Sequence, residues 1–115
     1  MTLDITKSVD IIEIMENYIS AVRPKPEIRN QLDVNYAIID QSVILHEIRT
    51  VWNNPKSILT FGYAKATYVK SKNVWKVFWK RADNKWHSYQ PTSTVRELKD
   101  FLKLVDQDEF GCFKG

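Results

Sequence analysis

Two periods of apolar residues divide the chain. In "SVDIIEIMENYISAV", residues 8–22, apolar side chains recur at Ile11, Ile12, Met15, Tyr18, Ile19 and Val22. That three-and-four spacing is one face of an amphipathic helix, and Ser8 suits its N-cap. Asp10, Glu13 and Glu16 lie off the stripe, towards the positive end of the helix. So acidic a face would be repelled by anionic lipid, which assigns the stripe to a core and not to a membrane surface. "RPKP", residues 23–26, stops the helix because neither proline continues it.

From Leu32 the period becomes two. "LDVNYAII" and "SVILHEIRTVW" are alternating, β-branched runs parted by Asp40-Gln41, a hairpin signal. "NNPKS", residues 53–57, reads as a loop. Three further strands follow, "YAKATYV" at 63–69, "VWKVFWKRA" at 74–82 and "KWHSYQ" at 85–90. Short polar links between five strands imply an antiparallel meander, which Pro91 closes. Helical spacing returns at 94–105 through Leu98, Phe101, Leu102 and Val105, with Thr94 and Glu97 placed for a capping box. In the tail, residues 106–115, Phe110 and Phe113 are expected to fold back on the core. The pattern predicts a single two-layer α+β domain: helix 8–22, five-stranded meander within 32–90, helix 94–105. Both helices are expected on one face of the sheet.

The stretch "VWKVFWKRADNKWHSYQ" decides what the other face carries. With Asp83-Asn84 as a two-residue turn, Arg81 faces Trp86, Lys80 faces His87 and Phe78 faces Tyr89. One face then gathers Trp75, Val77, Trp79 and Trp86; the other gathers Lys76, Phe78, Lys80, Lys85, His87 and Tyr89. A turn at Ser71-Lys72 sets Ala64 opposite Trp79, Ala66 opposite Val77 and Tyr68 opposite Trp75. Small against large is what a close-packed inner face needs. The same register places Tyr63, Lys65 and Thr67 outside. A slip of one residue would exchange some of these assignments.

Composition changes the picture in two ways. At 115 residues, with 43% apolar and 12% aromatic residues, the chain is one folded domain. It has no apolar run near the ~18–20 residues that span a bilayer. Neither a basic n-region nor an apolar h-region opens it, so no secretory signal is expected. Cys112 is the single cysteine, which fits a reducing compartment and a soluble, cytoplasmic protein. Charge is polarised within a net +3: residues 61–90 hold seven Lys/Arg against Asp83 alone, +6, while residues 1–60 sum to −2 and 91–115 to −1. The basic segment coincides with the aromatic one.

Cations for phosphates and rings for bases are what a single-stranded nucleic-acid binder shows. The expected contacts are Lys65, Lys76, Phe78, Lys80, Lys85, His87 and Tyr89. An acidic protein surface is the alternative partner for the same face, as in a protein-interaction or regulatory module. The plain explanation is a solvated sheet face, where Lys and Tyr are common and lysine stems cover apolar surface. A third possibility is a metal-dependent, nuclease-like enzyme centred on Asp33, Glu47 and Arg49. Against it, Arg49 stands where such sites need a lysine and cannot deprotonate to act as a base. A meander is also the wrong sheet, so a structural Glu47–Arg49 pair, or one with Lys65, is preferred. His46 and His87 lack cysteine partners, so no zinc site is expected. The three glycines, at 62, 111 and 115, form no phosphate loop, and no metal or cofactor is expected. Cys112 sits in the tail, a poor niche for a nucleophile. Arg81 should stack on Trp86, and Asp83 should cap its turn or else clamp Arg81 or Lys85.

The blocks "HEIRTVW", "AKATYVKSKNVWKVFWKRADNKWHSY" and "FLKLVDQDEFGCFKG" resemble, in that order, a small bacterial family catalogued as domain of unknown function 3024. The resemblance runs from about Leu32 to the C-terminus and more loosely through the first helix. Its pattern centres on Glu47, Arg49, Trp52, Lys65, Trp75, Trp79, Arg81, Asp83, Trp86 and Tyr89. Thr50 and Asn53-Asn54 depart from it, where relatives show a proline and acidic residues. The resemblance implies a free-standing cytosolic domain and no particular activity.

Overall fold

The computed structural model describes residues 5–51 and 54–113. Trp52 of the family pattern, Asn53 of the expected loop, and the last two residues of the tail lie outside them. Helix α1 (Ile5–Val22) precedes strands β1 (Leu32–Ile39), β2 (Ser42–Val51), β3 (Asn54–Val69), β4 (Val74–Lys80) and β5 (Trp86–Ser88). A 3₁₀ turn (Gln90–Thr92), strand β6 (Thr94–Val95) and helix α2 (Leu98–Gln107) follow. The sheet is an antiparallel meander in the order β1-β2-β3-β4-β5, with β6 sharing the β4 edge. Among the described residues no helix is long and apolar enough to cross a membrane.

One core lies between the helices and one sheet face. Ile11, Met15 and Ile19 of α1 and Leu98, Phe101, Leu102 and Val105 of α2 bury against Val43, Leu45, Ala64, Ala66, Trp75 and Val77. The expected pairs Ala64–Trp79, Ala66–Val77 and Tyr68–Trp75 are present. Two tyrosines tie the elements together: Tyr18 Oη donates to Asp106 Oδ1 at 2.7 Å, joining α1 to α2, and Tyr36 Oη donates to Glu16 Oε2 at 2.7 Å, joining the sheet to α1. Burial and these carboxylate bonds raise both phenol pKa values, that of Tyr36 to about 12.

Several boundaries depart from the sequence pattern. Helix α1 begins before Ser8, which is inside it, and Ile12 is exposed while Ile14 packs on the core. Helix α2 starts at Leu98, with Glu97 at the N-cap position and no side-chain cap; the Thr94–Glu97 capping box does not form. Thr94 and Val95 instead pair with Lys76 and Trp75, because an open β4 edge beside the core recruits them as strand. Phe113 folds back, its ring 4.9 Å from that of Tyr89, whereas Phe110 stays exposed.

The largest departure is in β3. It spans 16 residues, so residues 58–61, "ILTF", extend the β2–β3 hairpin as an arm with Ile58, Leu59 and Phe61 exposed at 63%, 48% and 49%. The register skips Tyr63, since Leu45 pairs with Ala64 and His46 with Gly62. This bulge changes which side chains share a face along β3. Just before β1, Gln31 O accepts from Thr50 N of β2, which sets alternate β1 residues towards β2 and leaves the Val34 and Tyr36 N–H groups pointing away from it. Those two donors are taken by the chain itself, by Asp33 Oδ1 and Asn35 Oδ1, each at 2.8 Å.

Candidate functional site

The outer sheet face, opposite the helices, is built by three devices. The first is the β4–β5 turn. Arg81 N donates to Lys85 O, Asn84 N donates to Arg81 O, and Asn84 has φ 63°. That is a three-residue loop, Ala82-Asp83-Asn84, closed by a left-handed asparagine, and not the expected two-residue turn. One added residue shifts β5 by one place: Lys80 pairs with Trp86, Trp79 with His87 and Phe78 with Ser88. Trp86 therefore joins the outer face, and His87 and Tyr89 leave it. Tyr89 is buried in the core. His87 Nε2 lies 2.8 Å from Asp83 Oδ2, and Asp83 Oδ1 accepts from Lys85 N, so this carboxylate holds both the loop and the strand. These bonds lower the Asp83 pKa, the His87 contact foremost. Arg81 stacks over Trp79 at 5.5 Å instead of over Trp86.

The second device is Gly62. A Cβ at this position would stand 3.1 Å from Trp86 Cζ2 and 3.3 Å from Ile44 Cγ2. The missing side chain lets the Trp86 indole reach across β4 from β5 and rest on β3. The third device is a pair of lysines. Lys65 Nζ lies 4.8 Å from the Phe78 ring centroid and 5.2 Å from that of Trp86; Lys80 Nζ lies 4.9 Å from Trp86. Such contacts stabilise by roughly 0.5–1 kcal/mol at exposed sites. Partial burial, then the Lys80 charge, lowers the Lys65 pKa; the same two causes in the same order lower that of His46. The ion pairs Arg23–Asp33, Arg49–Glu47 and His87–Asp83 involve neither lysine, and among the described residues no carboxylate pairs with Lys65 or Lys80.

Of the seven expected contact residues, Lys65, Lys76, Phe78 and Lys80 share the outer face. Lys85 is exposed in the adjoining loop. The polar cluster is dispersed. Glu47 and Arg49 share the helix-side face of β2, where the Arg49 Nη2–Glu47 Oε1 distance is 2.6 Å. Asp33 pairs with Ile48, on the opposite face from both, and takes two bonds from Arg23, which hold its carboxyl below the usual range. Among the described residues no group of three His, Cys, Asp or Glu is placed to hold a metal ion. A cleft of about 880 Å³ on the helix side is lined by Ile11, Ile14, Trp75 and Leu98 with near-balanced charges, including Lys7, Arg96, Asp10 and Glu97. It lacks the one-signed character of the outer face.

Sequence reasoning missed Trp86, Gly62, Ile44 and His46 as members of this face. A glycine inside an otherwise regular strand was the available signal, because it marks a bulge or a close approach.

Across residues 4–115 the chain matches the family described as "Domain of unknown function (DUF3024)", and it belongs to that family. No curated protein and no solved structure matches it significantly.

Proposed function

We propose that this member of the DUF3024 family is a non-catalytic module that binds nucleic acid through the outer sheet face. Lys65, Lys76 and Lys80 meet phosphates over an apolar floor of Phe78 and Trp86. The observation that carries the proposal is the Lys65–Lys80 pair, held together over aromatic rings without a carboxylate. Neighbouring like charges repel, and an acid placed nearby would relieve that. Leaving the pair uncompensated keeps a local positive potential available to an external anion. The lone Cys112 fits action in the reducing cytoplasm.

The test is fluorescence-anisotropy binding of labelled oligonucleotides at ~50 and ~200 mM salt, comparing the native chain with a Lys65→Glu/Lys80→Glu variant. Binding that weakens steeply with salt and falls at least about tenfold in the variant is expected. Absence of binding at the lower salt would remove the proposal.

A protein-interaction module is the second reading, favoured by the exposed apolar arm at Ile58, Leu59 and Phe61. It predicts a complex that survives nuclease treatment, is lost in Ile58→Ser/Phe61→Ser and is retained in Lys65→Glu/Lys80→Glu. Catalysis centred on Asp33, Glu47 and Arg49 draws no support from their placement on two faces.

A further inference from the structure

Lys65 Nζ lies within about 5 Å of two rings at once, Phe78 and Trp86. Ring, ammonium and ring repeat the layout of base, phosphodiester and base in one step of a single strand. Resting on the proposal that the outer face binds nucleic acid, we infer that Phe78, Lys65 and Trp86 form a subsite for one unpaired dinucleotide step. Each ring takes a base, and Lys65 takes the phosphate between them.

Three features fit this assignment. Lysines alone would accept any polyanion, but a flat ring on a sheet can stack only on a base already free of its partner. Trp86 lies against Gly62, where a Cβ would come within 3.1 Å of the ring, so the bare backbone there leaves the indole room to lie on β3. The ammonium groups of Lys65 and Lys80 occupy the rings in the free protein. An arriving base displaces them from the ring, and each finds a phosphate on the same strand. Ring contact and ion pairing therefore exchange, and no desolvated cation is left unpartnered.

The experiment compares three probes of equal length, about ten residues each: a thymidine strand, the same phosphate chain without bases, and a duplex. Affinity and tryptophan emission are followed together. The expected result is thymidine-strand binding at least about fivefold tighter than either control, with quenched emission. Trp86→Ala should erase both the margin and the quench, and Phe78→Ala should shrink the margin. Lys65→Met should lower the salt slope by about one and keep the Trp86 quench. Equal affinity for all three probes, unchanged in Trp86→Ala, would overturn the dinucleotide subsite and leave a cation-only nucleic-acid surface standing. Binding to none of them would overturn both.

Discussion

The two faces of the sheet are made from the same residue types and used in opposite ways. Trp75 is 1% exposed, buried in the core under the helix layer, with the Tyr68 ring tilted against it at 5.2 Å. Trp86, eleven positions on, is half-buried, lies on a glycine and is approached by two ammonium groups. On the inner face Ala64 and Ala66 make room for large partners, and burial of apolar area stabilises the fold. On the outer face Gly62 makes room for a ring that no helix covers. A glycine or alanine beneath a tryptophan thus means packing in one case and display in the other, and only the second layer tells them apart.

The comparison breaks most readily at the two tryptophans. Trp75→Ala should cost about 3–5 kcal/mol and lower the urea midpoint sharply. Trp86→Ala should cost about 1–2 kcal/mol, since only part of its area is withdrawn from water. Equal losses would make Trp86 a second core residue. Gly62→Ala comes next: its methyl would push the Trp86 ring off β3 at about 1–3 kcal/mol and shift tryptophan emission, with the helix–sheet core intact by near-ultraviolet circular dichroism.

Two smaller effects follow from titration. The Tyr36 phenol has its pKa raised from 10.0 to about 12, so folding favours its protonated form. Its contribution is complete below pH 10 and is lost as pH climbs towards 12. Tyr36→Phe should flatten that part of the alkaline stability curve. Asp33 behaves in the opposite sense. Its folded pKa lies below 3.8, so its bond to Arg23 contributes above that value and fades as acid protonates the carboxylate. Asp33→Asn should therefore lose stability at neutral pH and little in strong acid. The smallest change is expected in Lys65→Met, where lost cation–π contact is offset by relief of repulsion from Lys80; the melting temperature should stay nearly constant while binding suffers.

Much of this was legible in the sequence, and the illegible part has definite causes. Helix α2's buried positions and the β3–β4 register follow from spacing and from small residues facing large ones. The sequence alone does not fix the face of Trp86, because "ADN" supports both a two-residue and a three-residue loop. Loop length sets parity for every later residue. The arm was hidden because "NNPKS" carries loop composition, although strand pairing resumes within it at Asn54. Val95 falls within a span of helical spacing, and the open edge of β4 overrides that preference. Glu47 and Arg49 were correctly placed side by side. Asp33 was separated from them by the alternation of strand faces, which three residues taken out of register do not reveal.

The bonds that Asp33 and Asn35 make to the Val34 and Tyr36 amides bear on how this protein behaves when crowded. An edge strand of eight residues without lysine, arginine or proline is the kind of template on which fibrils grow by adding one chain's strand to another's. Here an arriving strand would meet side-chain oxygens where it needs backbone donors. Over its first half, β1 repels an acceptor instead of welcoming one. Two small polar side chains thus withdraw two edge donors from any arriving strand, which weakens β1 as a template for amyloid-like stacking at no cost in charge and with no extra element.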